Sequence, residues 1–350
     1  TSALEALRRL GEAPDLRREA GSPIRLSAGL PAADRVLEAC GKALGPEPTL
    51  PIHLLVSDTS SKPRNASLVA HPSRIEPDGD SAFWLGDVAC LSPARLCTQM
   101  AATLSDLELT LLLFELMGTY SLRTDVARGM AGRRGPLLTR AELLSYLERH
   151  KGQPCVTKVR RCLGYAFEGS ASPRESKLAL RLSLKPALGG YGLKVAGLNV
   201  PIDAQTMASR QTMARRSDVL LANPPDASKL VALEYDGADH LDGERHAEDL
   251  RRTNELKAAG IAEYRVDKDL YANSSYMDAL VASIRIDLGM PAQRLTRAEA
   301  ERRRGLRRTL YDELEAIGRA QDKRMCGRRD TPADGEVSEA MPTEEVPLEA

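Results

Sequence analysis

The sequence predicts an α/β protein, with a mixed sheet flanked by helices over residues 169–290 and a smaller α/β domain over 1–128. Three observations predict it. Apolar runs of strand length at 198–204, 216–222 and 229–236 follow one another, and a helix-then-strand pair at 243–259 and 261–266 comes next. That succession suits a mixed sheet covered by helices. The 350 residues suffice for two domains with their own cores. Aromatic residues are only 4% against 42% apolar, so those cores must be built from Leu, Val, Ile and Ala.

In chain order, helical patches are expected at 4–10 and 32–43, then strands at 51–59, 66–72 and 82–92. Ser92-Pro93 reads as a helix start, because Ser can cap and Pro is tolerated in the first turn. Ser105 and Glu108 have capping-box spacing and open a helix that stops at Gly118. Residues 129–168 are read as linker and helices. Gly129, Gly132, Gly135 and Pro136 mark a flexible basic linker, and a helix begins at Thr139 with Glu142 in capping-box position. The C-terminal unit opens with a helix at 173–184 and a Gly-rich turn around Gly189, and closes with a helix at 276–288. Residues 291–329 form a basic helical extension, with Leu306, Leu310, Leu314 and Ile317 at helical spacing. The tail, 330–350, is acidic, contains no Lys or Arg, and is expected to be disordered.

Several classes are set aside by composition. The richest apolar run, 107–117, is short and contains Glu108 and Glu115, so it reads as a buried helix and no membrane partner is expected. The N-terminus lacks the apolar stretch of a signal peptide. Six cysteines form no C-x-x-C pair and do not cluster with the five histidines, which argues against zinc and for reduced thiols in a cytoplasm. The formal net charge of +0 conceals a basic stretch followed by the acidic tail.

The chemistry concentrates in residues 216–240. Asn223-Pro224-Pro225-Asp226 divides two apolar runs, so they should form an antiparallel hairpin. If the hairpin is symmetric about Asp226, Asp218 faces Glu234, and Asp236 shares that side because side chains alternate. Like charges directly opposite one another destabilise a sheet, and partly buried carboxylates need a compensating cation or proton. Mg²⁺, commonly held by one or two carboxylates with water and phosphate, is an economical partner. A bulge in the turn would shift this register. The alternative is that the acids sit at strand ends and point into water.

The segment resembles the PD-(D/E)XK nuclease superfamily, and within it domains similar to the very-short-patch repair endonuclease. The resemblance runs through Ser172-Pro173-Arg174-Glu175, Arg216-Ser217-Asp218, Glu234-Tyr235-Asp236-Gly237 with His240, Asp249 to Gly260, and Glu263-Tyr264-Arg265-Val266. It covers roughly a third of the chain, and E-x-D-G-x-x-H is its most specific part. It implies a restriction-endonuclease-like fold in which Asp218 and Glu234 hold Mg²⁺ or Mn²⁺, His240 activates water, and Glu175 is the helix glutamate. Asp249 and Arg252 match the polar pattern of the following helix. The Lys of (D/E)-x-K is replaced by Asp236, as in that branch, so water must be positioned by the metal and His240. Ser172, Pro173 and Glu175 also fit a capping box, in which Glu175 serves backbone N–H groups. Within 1–128, the strands at 53–58 and 67–71 and the segment 87–104 resemble abortive-infection AbiEi-type antitoxin proteins, which implies an antitoxin-like or regulatory domain.

These readings imply a Mg²⁺-dependent endonuclease acting on DNA, in genome defence or repair. Asp218, Glu234, Asp236, His240 and Glu175 are then the catalytic set, and Arg216, Arg251 and Arg252 contact nucleic acid. Arg210, Arg215 and the arginines at 302–308 are further phosphate candidates, with a solvated charged face as the plainer alternative. Two other classes remain: a DNA-binding regulator or antitoxin with an inert nuclease fold, and a protein-interaction module.

Overall fold

A computed structural model of the chain describes residues 2–10, 24–44, 50–57, 66–73, 77, 79–123, 125, 126, 129–133, 135–205, 212–236, 254 and 256–326. The N-terminal elements are α1 (Ser2–Arg9), α2 (Ala33–Leu44), β1 (Ile52–Val56), β2 (Leu68–Pro72), β3 (Ala82–Leu85), β4 (Val88–Leu91), α3 (Pro93–Met100) and α4 (Asp106–Met117). They continue with β5 (Tyr120–Leu122), β6 (Met130–Gly132), α5 (Arg140–Arg149) and α6 (Val156–Leu163). The C-terminal elements are α7 (Pro173–Ser183), β7 (Lys194–Gln205), β8 (Thr212–Asn223), β9 (Asp226–Tyr235), β10 (Ala262–Val266), α8 (Lys268–Ala272), α9 (Ser274–Asp287) and α10 (Arg297–Cys326).

The C-terminal sheet is mixed and has the order β10-β9-β8-β7. The three long strands pair antiparallel, while β10 lies parallel to β9. Val219 and Leu221 of β8 and Val231 and Leu233 of β9 enter the main core, together with Leu178 and Leu182 of α7 and Ile284 of α9. Leu220 and Ala232 look the other way, into a smaller cluster with Ile202, Leu256 and Ile261. Both faces are therefore covered, which is why these strands read as continuous apolar runs rather than alternating ones. Each fully buried Leu or Val contributes about 1.5–3 kcal/mol.

Three helix starts form as the sequence predicts. Ser92 caps α3 with Pro93 in its first turn, and reciprocal capping boxes close Ser105–Glu108 and Thr139–Glu142. Two local expectations are corrected. The run at 82–92 is a tight hairpin of β3 and β4, because Gly86, at φ 58°, and Asp87 supply the turn. The described residues of 129–138, expected to be flexible, are packed. There β6 pairs with β5, Arg133 Nη2 donates to the carbonyls of Glu115 and Gly118, and Leu137 and Leu138 are buried.

One apolar cluster runs without a break from Leu4 to Leu314 and joins the two halves of the chain. The expected extension beyond 291 belongs to it through Leu310 and Leu314 of α10. Glu315 receives Arg174 Nη1 and Lys177 Nζ of α7, both at 3.0 Å. Gly189, at φ 82°, admits the helix closely; a Cβ there would meet the Leu306 carbonyl oxygen at 2.4 Å. Of the helix expected at 243–259 only its end is described, with Leu256 buried and Gly260 at φ 74° closing it. The acidic tail lies outside the described residues. Cys40, Cys90, Cys97, Cys155 and Cys162 are free thiols, and no described helix is long and apolar enough to cross a membrane.

Candidate active site

The pairing of β8 with β9 runs Val219↔Leu233, Leu220↔Ala232, Leu221↔Val231 and Ala222↔Leu230. Continued by one step, it sets Asp218 opposite Glu234, the register expected from symmetry about Asp226. The route to it differs from the one expected. The turn itself is Pro224-Pro225, with Asn223 paired to Asp226, and that alone would align Asp218 with Val231. An irregularity between Ala222 and Asn223 absorbs the residues 227–229 on β9 and restores the acid pair. Because Val219, Leu221 and Leu233 point into the main core, Asp218 and Glu234 share the opposite side. Both are half-buried, as is Asp236, whose N–H continues the sheet to the Val266 carbonyl at 3.0 Å.

At this point side chains take over from the β8–β9 backbone ladder. The Tyr235 N–H donates to Asp218 Oδ2 at 2.7 Å, and Ser217 Oγ donates to the carbonyls of Val219 and Leu233 at 2.9 and 3.3 Å. A carboxylate that receives a backbone N–H is fixed in orientation. Ser217 is fully buried, a role the sequence did not disclose.

Glu175 reaches the same end of the sheet from α7. Ser172 Oγ accepts the Glu175 N–H at 3.2 Å and Pro173 occupies the first turn, so half of the expected capping box forms. The Glu175 carboxylate passes over the Ser172 N–H and takes that of Ala171 at 2.8 Å, and it also accepts from Asn199 Nδ2 at 2.6 Å. Asn199 stands at φ 51°, in the left-handed region that Asn tolerates better than most residues. Strand β7 turns over there: Leu198 enters the main core, whereas Val200 and Ile202 pack on the other side. The continued β7–β8 register places Asn199 beside Asp218. Burial, and then the charge of Asp218, push the Glu175 carboxyl up to about 7 despite its three local hydrogen bonds.

On the other side of Glu234 stands Arg265, its register partner on β10. A lateral row therefore crosses four strands: Asn199, Asp218, Glu234 and Arg265. Arg216 is exposed on β8, two residues before Asp218 and on the same side by alternation. His240, Arg251, Arg252, Asp249 and Arg210 lie outside the described residues, as does the side chain of Arg215. Most of the basic cluster on α10 is engaged in ion pairs. Arg302 and Arg303 meet Glu299, and Arg304 and Arg307 meet Asp278.

The donor set at Asp218 and Glu234 is all oxygen, which fits a hard divalent cation whose remaining positions go to water and phosphate. The opposed acids at the half-buried end of two apolar strands are the observation in favour of that fit. Among the described residues, however, no group of three or more His, Cys, Asp or Glu side chains is gathered closely enough to hold a metal on its own.

No curated protein and no solved structure gives a significant match to the chain. Residues 202–284, which carry β8, β9, β10 and all of the row except Asn199, are similar to the family described as protein of unknown function (DUF2726).

Proposed function

We propose that residues 169–290 form a metal-dependent endonuclease domain that hydrolyses DNA phosphodiester bonds. The observation that supports it most is Asp218, set opposite Glu234 by the continued register and close enough to Glu175 for its charge to help push that carboxyl up to about 7. Bound between Asp218 and Glu234, Mg²⁺ or Mn²⁺ would polarise a phosphate and acidify the attacking water. The chain itself supplies the orientation. The Tyr235 N–H aims the Asp218 carboxylate, and the Ala171 N–H and Asn199 amide hold Glu175. At about pH 7 Glu175 can both take up and release a proton, the condition for a general acid–base group. His240 carries the water-activating role that the nuclease resemblance implies, and Arg216 is placed to meet a phosphate. Asp236 contributes further negative charge on the metal side.

The test is nicking of supercoiled plasmid with Mg²⁺ or Mn²⁺ and with chelator. The proposal expects metal-dependent nicking that Asp218→Asn and Glu234→Gln abolish. A DNA-binding regulator or antitoxin on an inert nuclease fold is the second reading. It draws support from the lack of a third donor beside the acid pair among the described residues. Salt-sensitive DNA binding with no nicking in any metal would decide for it.

A further inference from the structure

We infer that Arg265 is a positioning residue of this site, a cation that offsets the charge of Glu234 and turns to the substrate phosphate when metal is bound. The inference rests on the nuclease reading above. Register is the first ground. Arg265 is the Cα partner of Glu234, as Tyr264 is of Leu233 and Val266 of Tyr235. Facing is the second. Tyr264, Val266, Leu233 and Tyr235 all pack with the main core, so Arg265 and Glu234 both project to the other side, where Asp218 also lies. Neighbouring strands are about 4.8 Å apart, which puts a long guanidinium side chain within reach of the acid beside it.

The composition of the row is the third ground. From Asn199 to Arg265 it holds two acids and one cation, and the position just past β9 where the parent nuclease motif carries Lys is Asp236. Among the described residues, Arg174 and Lys177 pair with Glu315, and Arg304 and Arg307 with Asp278. Burial is the fourth. Arg265 is half-buried, so its charge is screened less than that of the exposed Arg216. An Arg at this place also offers a planar fork that suits a carboxylate in one state and a phosphate in the other, which Lys does not.

A cation beside Glu234 competes with a divalent metal for the same negative charge, and this sets the test apart from a merely structural role. The full chain and its Arg265→Gln and Arg265→Lys variants are titrated with Mn²⁺ by calorimetry, and their plasmid nicking is resolved into kcat and KM. Arg265→Gln should bind Mn²⁺ about five-fold more tightly in the absence of DNA, because a repelling charge is gone. The same variant should raise KM for DNA by about ten-fold through loss of a phosphate contact. Arg265→Lys should keep the parent's Mn²⁺ affinity while recovering only part of the KM, and it carries the test if the Gln variant fails to fold. A parent that binds Mn²⁺ and nicks DNA, with variants indistinguishable from it in both, overturns the role of Arg265 alone. A parent that neither binds Mn²⁺ nor nicks DNA overturns the nuclease reading and this inference together.

Discussion

Replacing Glu175 with Gln should change how the stability of the protein depends on pH, in a direction and by an amount that follow from its surroundings. In the unfolded chain the carboxyl releases its proton near its ordinary value of 4.5, whereas in the folded chain it keeps it up to about 7. Between those values the native state binds more protons than the unfolded state, so stability falls as pH rises. At about 1.4 kcal/mol per unit the whole window is worth about 3 kcal/mol. Gln is isosteric, stays neutral, and can still accept from the Ala171 N–H and the Asn199 amide. The variant should therefore lack that loss. Urea unfolding in chelator at pH 5, 6, 7 and 8 measures it. Relative to the parent, Glu175→Gln should gain about 2–3 kcal/mol between the lowest and highest pH. The lowered values of His53 and His71 are common to both proteins and cancel in the difference. Asp218→Asn, which removes the second cause of the shift, should narrow the window without closing it. Parallel stability curves for parent and Glu175→Gln would refute the reasoning.

Asp218→Asn relieves the repulsion across β8 and β9, so in chelator it should not melt below the parent, and both it and Glu234→Gln should lose most of any Mg²⁺- or Mn²⁺-dependent gain in Tm. Variants that respond to metal as the parent does would show the acid pair is not the binding site. Glu115 is 2% exposed, takes both Arg8 Nε and Nη2 at 2.7 Å, and accepts the Leu122 N–H at 2.9 Å. Glu115→Gln should cost about 2 kcal/mol or more in denaturant unfolding, since it leaves a guanidinium with half its partner. Gly190→Ala should cost about 2 kcal/mol or more, because a Cβ there meets the Leu184 carbonyl oxygen at 2.0 Å, and an unchanged Tm would contradict that packing.

The parts of the site that were legible in the sequence are those whose partners lie close by along the chain. Asp218 and Glu234 are joined by a hairpin with strong turn residues, so the hairpin was legible. Their opposition agrees with symmetry about Asp226 only because an irregularity between Ala222 and Asn223 shifts the register. Glu175 was legible as a helix-start residue, because Ser172 and Pro173 announce the helix. Asn199 and Arg265 were not. The first acquires its role through a left-handed backbone and a contact with Glu175, and the second through parallel pairing across a long connection. Neither leaves a local pattern. The hairpin of β3 and β4 was missed for the opposite reason. Trp84, Leu85, Val88 and Ala89 form an almost unbroken apolar run, and a two-residue Gly-Asp turn hides inside it. The fold class needed only the order of runs and helices, and so it was readable without any of these details.

The ion pairs from Glu315 to Arg174 and Lys177 bear on where this unit can be cut. Lys177 is 5% exposed, so a chain ended near residue 290 would keep that ammonium within α7 while losing the carboxylate that stands over it. It would also uncover the surface now covered by Leu310 and Leu314. The price of such trimming would be felt at Glu175, two residues from Lys177 on the same helix, so a minimal fragment drawn around the strands alone would misreport the behaviour of the acids it was made to isolate.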